Sequence, residues 1–249
     1  MTRDIRVLAA ASPDRPMTTI AGGDNHSPAW IDNRRLTFGS NRDGAQKIYV
    51  VAVGAKAAPG PLFTTDVAAS RNPGSWSRPP KLLAFYEIGR TQRRDVLIYR
   101  VGESVAPLAA SEANERSPSV SHDGRWVAYV SDEAGRDEIF VAPLAGNGEP
   151  RRLTTRGATE PAWSRLGLYY RQGDRMMFHM LEKGRLGEPA VVFEGHFERD
   201  PGANLAAYDV EPSGRYFIML KSALKPRELR VVVNWSTELT AATADLSRW

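Results

Sequence analysis

The stretch Pro118–Val141, PSVSHDGRWVAYVSDEAGRDEIFV, contains the unit that decides the fold. Its two longer apolar runs are rich in β-branched and aromatic residues, which favours strands. The tetrapeptide His122-Asp123-Gly124-Arg125 is typical of a tight turn, with glycine where a positive φ is needed. A polar loop separates the second and third runs. The predicted strands are Pro118–Ser121, Trp126–Ser131, Glu138–Pro143 and Arg151–Thr154.

This unit recurs along the chain at a nearly constant period. The prolines Pro28, Pro73, Pro118 and Pro161 each open a unit and are 45, 45 and 43 positions apart (28 to 73 to 118 to 161). In the fifth unit Tyr208 takes the place of the proline, 47 positions further on (161 to 208). A period of 40–50 residues with four short strands is typical of propeller blades. The repeat therefore predicts an all-β propeller of five or six four-stranded antiparallel blades.

The repeat also predicts how the chain is organised. We expect a single domain over residues 1–249, because blades must stack to bury both faces. The N-terminal strands are expected to close the ring by pairing with the last blade, which lacks a fourth strand of its own. The predicted parts are 1–26 as ring-closing strands, repeat units at 27–70, 71–115, 116–158, 159–203 and 204–235, and a tail at 240–249.

Composition excludes several classes of protein. The 249 residues include no cysteine, which rules out disulfides, thiolate zinc sites and iron–sulfur clusters. The net charge of +4 is spread among alternating basic and acidic residues, so we expect no specific nucleic-acid binding. No apolar run reaches 18 residues, which predicts no membrane segment. We expect a monomer, cytoplasmic as written or periplasmic if the sequence belongs to a longer anchored protein.

The repeat resembles the WD40-like repeat of TolB-type propellers. Pro118–Val141 and Pro28–Val50 carry this resemblance most clearly. The stretch Tyr208–Phe217, with Val231–Trp235, is similar to the last blade of propellers that end bacterial membrane-anchored Ser/Thr kinases. The resemblance implies a propeller fold and a sensor or scaffold role facing the periplasm.

Familiar catalytic motifs are absent from the sequence. It contains no G-x-S-x-G, no phosphate-binding glycine loop and no H-E-x-x-H. In a propeller, the loops that enter the innermost strands open on one face around the central channel. That channel face should collect Asp24, His26, Arg71, Asn72, Glu115, Arg116, Glu160, His196 and Asp200, joined by Tyr86, Glu87, Arg90, Asp132 and Arg171.

Three interpretations of this set remain open. In the first, the chain is a binding or sensor propeller, and a protein or small-molecule ligand contacts Asp24, Arg71, Tyr86, Glu115, Arg116, Arg171 and Asp200. In the second, His26, His196 and Glu160 form a catalytic or metal site, with Zn²⁺ or Ca²⁺, that hydrolyses an ester or phosphotriester. In the third, the residues are solvated loop charges that neutralise one another.

The other histidines and the recurring tryptophans have simpler interpretations. His122 is expected to be a turn residue, and His179 to pack within a strand. Trp30, Trp76 and Trp163 recur near the unit starts, which predicts packing between blades.

Overall fold

The computed structural model describes residues 2–9, 12–63, 69–77, 81–145, 148–199, 205–221 and 228–232. These residues form strands, turns and bends, and none of them is helical. The chain divides into two compact units, Met1–Pro118 and Ser119–Trp249.

The strands follow the predicted repeat. Those up to residue 120 are β1 (Ile5–Ala9), β2 (Ser12–Ile20), β3 (Asn25–Trp30), β4 (Arg35–Ser40), β5 (Lys47–Ala52), β6 (Gly60–Pro61), β7 (Ser70–Ser77), β8 (Leu82–Ile88), β9 (Arg94–Arg100), β10 (Val105–Ala109) and β11 (Glu115–Val120). The remaining strands are β12 (Trp126–Ser131), β13 (Glu138–Pro143), β14 (Arg151–Arg152), β15 (Thr159–Trp163), β16 (Gly167–Gln172), β17 (Arg175–Glu182), β18 (Arg185–Glu194), β19 (Tyr208–Val210), β20 (Phe217–Lys221) and β21 (Glu228–Val232).

Each repeat forms one antiparallel meander, as a propeller blade does. The first four sheets have the orders β3-β4-β5-β6, β7-β8-β9-β10, β11-β12-β13-β14 and β15-β16-β17-β18. The fifth sheet is three-stranded among the described residues, with the order β19-β20-β21. The predicted strand boundaries agree with these to within a few residues, and the fold class is confirmed as all-β.

The N-terminal strands form a hairpin of their own. β1 and β2 pair with each other in a separate two-stranded sheet. Val7 and Ile20 of this hairpin pack into one core with Leu36, Phe38 and Tyr49 of the first sheet. Closure of a ring by these strands, and the single-domain organisation, stay predictions.

The fourth sheet is buried on both faces. One core combines Val130 and Ile139 of the third sheet with Tyr170 of the fourth. A second core combines Tyr169 of the fourth sheet with Phe217 of the fifth. Because side chains alternate across a strand, the neighbours Tyr169 and Tyr170 serve opposite faces. This is why the second strand of the fourth sheet, β16, has the consecutive apolar residues Leu168, Tyr169 and Tyr170.

The tryptophans only partly follow the packing prediction. The indole N–H of Trp76, in the second sheet, donates to the hydroxyl of Thr37 in the first sheet at 2.9 Å. Trp163 packs against the core between the third and fourth sheets. Trp30 is 46% exposed, so the prediction does not hold for this residue.

A backbone irregularity marks the innermost strand of several sheets. The residue before the proline has a positive φ at Ser27 (54°), Ser117 (54°) and Glu160 (59°). The strand register shifts at the same place, between His26 and Ala29 and between Thr159 and Ala162. Such bulges re-aim side chains and persist only where the surroundings hold them. The bulge therefore places Glu160 at a backbone position that ordinary strand geometry would not allow.

Candidate functional site

The predicted site residues gather at one end of each sheet, where the innermost strand begins and the second strand ends. Arg71, Arg116 and Glu160 lie at the starts of β7, β11 and β15, whereas Arg171 lies near the end of β16. Several of them are buried, including Glu160 (1% exposed) and Arg116 (8% exposed). These buried residues are therefore not solvated loop charges, and each needs partners inside the protein.

In the first unit, Asp24 is held by an arginine of the N-terminal segment. Arg3 donates to both Asp24 carboxylate oxygens, at 2.7 and 2.8 Å. This hydrogen bonding lowers the pKa of Asp24 below its usual value. The carboxylate is thus ionised and already engaged by a cation of the chain.

His26 is half-buried against the neighbouring strand. Its Nδ1 lies 2.8 Å from the hydroxyl oxygen of Ser27. A Cβ built at Gly39 would lie 2.7 Å from His26 Cε1, so the glycine allows the imidazole to approach the backbone. This arrangement indicates packing on the first sheet.

Arg71 forms a tight pair on the second sheet. It is opposite Glu87 in the strand register, and its Nε donates to the Glu87 carboxylate at 2.7 Å. Only 11% of the Arg71 side chain and 18% of the Glu87 side chain are exposed. The guanidinium also lies over the rings of Phe63 and Phe85, at 5.2 and 5.7 Å. Arg71 therefore has an acidic partner on the adjacent strand.

Two further candidates of the first unit are also buried. Tyr86 lies next to Glu87 on β8, and Glu115 opens β11 and accepts a hydrogen bond from the Ser111 hydroxyl. Both side chains are therefore part of the packed end of their sheets.

In the second unit, Arg171 has a different environment. It is 1% exposed, it is opposite Thr159 in the register, and its Cζ lies 5.9 Å from the centre of the Phe197 ring. No described residue accepts a hydrogen bond from Nε, Nη1 or Nη2. Burial lowers the pKa of the guanidinium, while the nearby charge of Glu160 opposes this.

Glu160 and Tyr208 border Arg171 on the side of the fifth sheet. The Tyr208 hydroxyl donates to the backbone oxygen of Glu160 at 2.8 Å. The backbone N–H of Ala207 points to the Glu160 carboxylate at 3.4 Å. Burial, and then the charge of Glu160, raise the pKa of Tyr208 well above its usual value, which keeps the phenol protonated.

His196 lies in a short stretch, Gly195–Arg199, which we call the covering segment. Its backbone is tied by hydrogen bonds from Gly195 N–H to the Asp174 oxygen (2.9 Å) and from Glu198 N–H to the Leu220 oxygen (2.8 Å). Asp174 lies in the turn between β16 and β17. Its carboxylate receives His196 Nδ1 and Arg199 Nη2, each at 3.0 Å. The His196 side chain is 91% exposed.

The structure therefore brings together parts of the predicted set. In the first unit Asp24 and His26 interact electrostatically, and Arg71 pairs with Glu87. In the second unit Glu160 and Arg171 interact electrostatically. Asp200 lies outside the described residues.

The metal interpretation lacks a set of ligands among the described residues. Among the residues that the structure describes, no three His, Asp or Glu side chains are grouped so as to hold a metal ion. A metal site at His26, His196 and Glu160 stays a prediction, as does hydrolysis.

Sequence reasoning missed three residues around Arg171. Asp174, Phe197 and Arg199 were not predicted as site residues. The Gly173-Asp174 turn after Arg171 and the aromatic residue beside His196 were the available signals.

An open depression occurs elsewhere on the first unit. It is lined by Asp32, Asn33, Arg34, Arg35 and Ala52, at the turn between β3 and β4. This is the end of the first sheet opposite His26, so the depression contains none of the candidate residues.

Within the residues that the structure describes, there is no helix of the length and hydrophobicity needed to span a bilayer.

Solved structures similar to this chain are propellers. TolB from Acinetobacter baumannii superimposes with a TM-score of 0.66 at 15% identity, over 90% of this chain and 55% of that chain. The putative TolB from Agrobacterium tumefaciens gives 0.56 at 18% identity, over 74% and 71%. A chain of a nidogen/laminin complex gives 0.58 at 11% identity, over 88% and 81%.

The similarity is confined to structure. No family model matches the chain, and no curated protein matches it. The chain spans about half the length of the Acinetobacter TolB. Together with the five repeated sheets, these comparisons show that the chain has the fold of the TolB-like β-propellers.

Proposed function

We propose that the chain is a non-enzymatic binding propeller. It presents the end of its sheets where the innermost strands begin to a protein or small-molecule ligand. The observation that carries this proposal is the buried arginine of the fourth sheet, Arg171, whose three nitrogens have no described hydrogen-bond partner. Buried charged donors without an acceptor are rare in folded proteins unless something else binds them.

The similar structures support this proposal at the level of fold. Propellers commonly use one end of the blades for ligands, whereas the blades themselves form the scaffold. Fold similarity alone does not identify the ligand.

Two exposed positions on the fourth sheet allow a matched test. His196 lies at the candidate end, and Leu166, which is 50% exposed, lies in the turn between β15 and β16 at the other end. A photo-crosslinking amino acid is placed at each position in turn, and the protein is exposed to an extract of the source cells. We expect a discrete adduct from position 196 and none from position 166.

A third variant connects the adduct to the site. Arg199→Gln changes an exposed charge of the covering segment and leaves the buried residues in place. We expect it to weaken the adduct at position 196 at least tenfold. Equal labelling from both positions, or an adduct indifferent to Arg199→Gln, would show that this end of the sheet is not the binding surface.

The hydrolase alternative has its own measurement. Turnover of an activated ester and of a phosphotriester is measured with the unmodified chain and with His26→Ala and His196→Ala. A loss of about 10²-fold or more in either variant would replace the binding proposal, because that is the effect of removing an acid–base residue.

A further inference from the structure

Arg171 has hydrogen-bonding capacity that the described protein does not use. Its guanidinium carries five N–H donors in a fixed plane. None of its three nitrogens has an acceptor among the described residues, although the side chain is 1% exposed. A buried charged donor without an acceptor loses its hydration with no return, so the arrangement favours any acceptor that can reach it.

The neighbouring acids balance the charge of Arg171 without hydrogen-bonding to it. Glu160 and Asp174 both stabilise the charged guanidinium through space. The Asp174 oxygens are occupied by His196 and Arg199 at 3.0 Å each. The Glu160 carboxylate faces the N–H of Ala207. The charge of Arg171 is therefore compensated by nearby acids, whereas its N–H groups lack acceptors among the described residues.

The covering segment packs against the guanidinium of Arg171. The Phe197 ring lies over the Arg171 guanidinium, and a Cβ at Gly195 would come within 2.8 Å of that ring. The glycine thus lets Phe197 fold back onto Arg171. On the outer side of the segment, the side chains of His196 and Arg199 are exposed to solvent, at 91% and 40%.

We propose that Arg171 anchors a site for an oxyanion, either a carboxylate or a phosphate group of a ligand, that enters beneath the covering segment. The planar guanidinium matches two oxygens of such a group in a bidentate contact. Arg199 provides a second cation at the entrance. The inference rests on the proposed function and deepens it, since it names the ligand chemistry at the fourth sheet.

Thermal melting of the full chain tests the site with the simplest probes. Melting is recorded in chloride, inorganic phosphate and acetate at equal pH and ionic strength. We expect phosphate or acetate to raise the melting temperature by about 3 °C or more at ten times its dissociation constant, and chloride to have no such effect. The anion that stabilises distinguishes a phosphate ligand from a carboxylate ligand.

Two substitutions locate the effect. Arg171→Met should abolish the anion-dependent rise. Its melting temperature in chloride is expected to fall, because the buried Glu160 carboxylate loses a compensating charge, so the rise is measured against the variant's own value in chloride. Arg165→Gln removes an exposed arginine from the β15–β16 turn, where it contacts His122, and should keep the full rise.

Each other outcome overturns the anion site. No rise with either anion, or an equal rise in Arg171→Met, would place anion binding elsewhere or nowhere. If Arg171→Met does not fold, Arg171→Lys keeps the charge beside Glu160 without the planar donors, and a full rise in that variant would overturn the site. If the melting experiments fail while the photo-crosslinked adduct at position 196 persists, only the anion site is wrong. If both fail, the proposed function fails too.

Discussion

Arg71 and Arg171 are two arginines in similar places with opposite circumstances. Both lie at the same end of their sheets, one in the first unit and one in the second, and both stack on phenylalanine. Arg71 is opposite Glu87 and donates to it at 2.7 Å, whereas Arg171 is opposite Thr159. The repeat thus builds a closed ion pair in one sheet and a cation with unused donors in another.

The contrast between Arg71 and Arg171 indicates where function resides in a repeat protein. Blades share a scaffold, so a charged residue with its partner on the adjacent strand contributes to stability. A charged residue that lacks that partner needs another explanation, and binding is the one we propose. The experiments below test whether the two arginines really differ in this way.

Breaking the closed pair should have the largest effect. Glu87→Gln leaves the mostly buried Arg71 without its counter-charge, and we expect the free energy of unfolding to fall by about 2–3 kcal/mol. Urea denaturation measures the change. Asp95, whose pKa is raised by burial and then by the charge of Glu87, should titrate closer to its usual value in this variant. A loss below about 0.5 kcal/mol would mean that the ion pair with Glu87 does not distinguish Arg71 from Arg171.

A satisfied carboxylate in the second unit provides the next comparison. Burial raises the pKa of Glu138, but hydrogen bonds from Thr154 (2.6 Å), Arg136 (2.7 Å) and the Gly157 N–H (3.0 Å) outweigh it, and the pKa is lowered. We expect Glu138→Gln to cost about 2 kcal/mol at pH 7. The exposed Glu133→Gln should cost almost nothing.

The sign of the pH dependence follows from that lowered pKa. The stabilisation by Glu138 is present above pH 4.5, its ordinary value, and is lost as the pH falls through the lower pKa of the folded state. The difference in unfolding free energy between the unmodified chain and Glu138→Gln should therefore be larger at pH 7 and shrink as the pH is lowered into the acid range. A difference that does not change with pH would mean that the ionised form of Glu138 does not stabilise the folded chain.

His179 is another buried titratable group, and it lies on the fourth sheet. Its Nδ1 lies 2.6 Å from the Gly187 oxygen, and the Tyr170 hydroxyl lies 3.3 Å from Nε2. Burial lowers the pKa of His179, so stability is fully present above pH 6.5 and declines as the pH falls through the lower folded-state pKa. His179→Phe should cost about 1 kcal/mol at pH 7 and remove this decline. An unchanged pH slope would assign the decline to another group.

The smallest effect is expected at the covering segment. Asp174→Asn weakens the contacts to His196 and Arg199, which are largely exposed, so the stability loss should stay below about 1 kcal/mol. Limited proteolysis should nevertheless cut Gly195–Arg199 faster in this variant. Unchanged cleavage would show that Asp174 does not hold the segment over Arg171.

Much of the fold could be predicted from local sequence. The Asp-Gly turn at residues 123–124 and the apolar strand Trp126–Ser131 specify a hairpin by themselves, and the proline spacing reveals its repetition. The predicted end of the sheets also collected Arg71, Glu160 and Arg171, because strand order determines which residues share an end.

The chemistry of that end could not be predicted in the same way. Whether Arg171 has an acceptor depends on Thr159 across the ladder and on a segment some 25 residues later (171 to 196). The burial of Glu115 and Glu160 likewise depends on contacts distant in sequence. Trp30 shows the same limit, because its repeat position predicted packing and it is largely exposed.

A crystal structure of the full chain grown with phosphate or acetate would test the anion site at Arg171 most directly. We expect an oxyanion with oxygens about 3 Å from the Arg171 nitrogens, beneath the covering segment. A guanidinium hydrogen-bonded instead to a carboxylate of the protein, with no anion beside it, would show that Arg171 does not bind an anion.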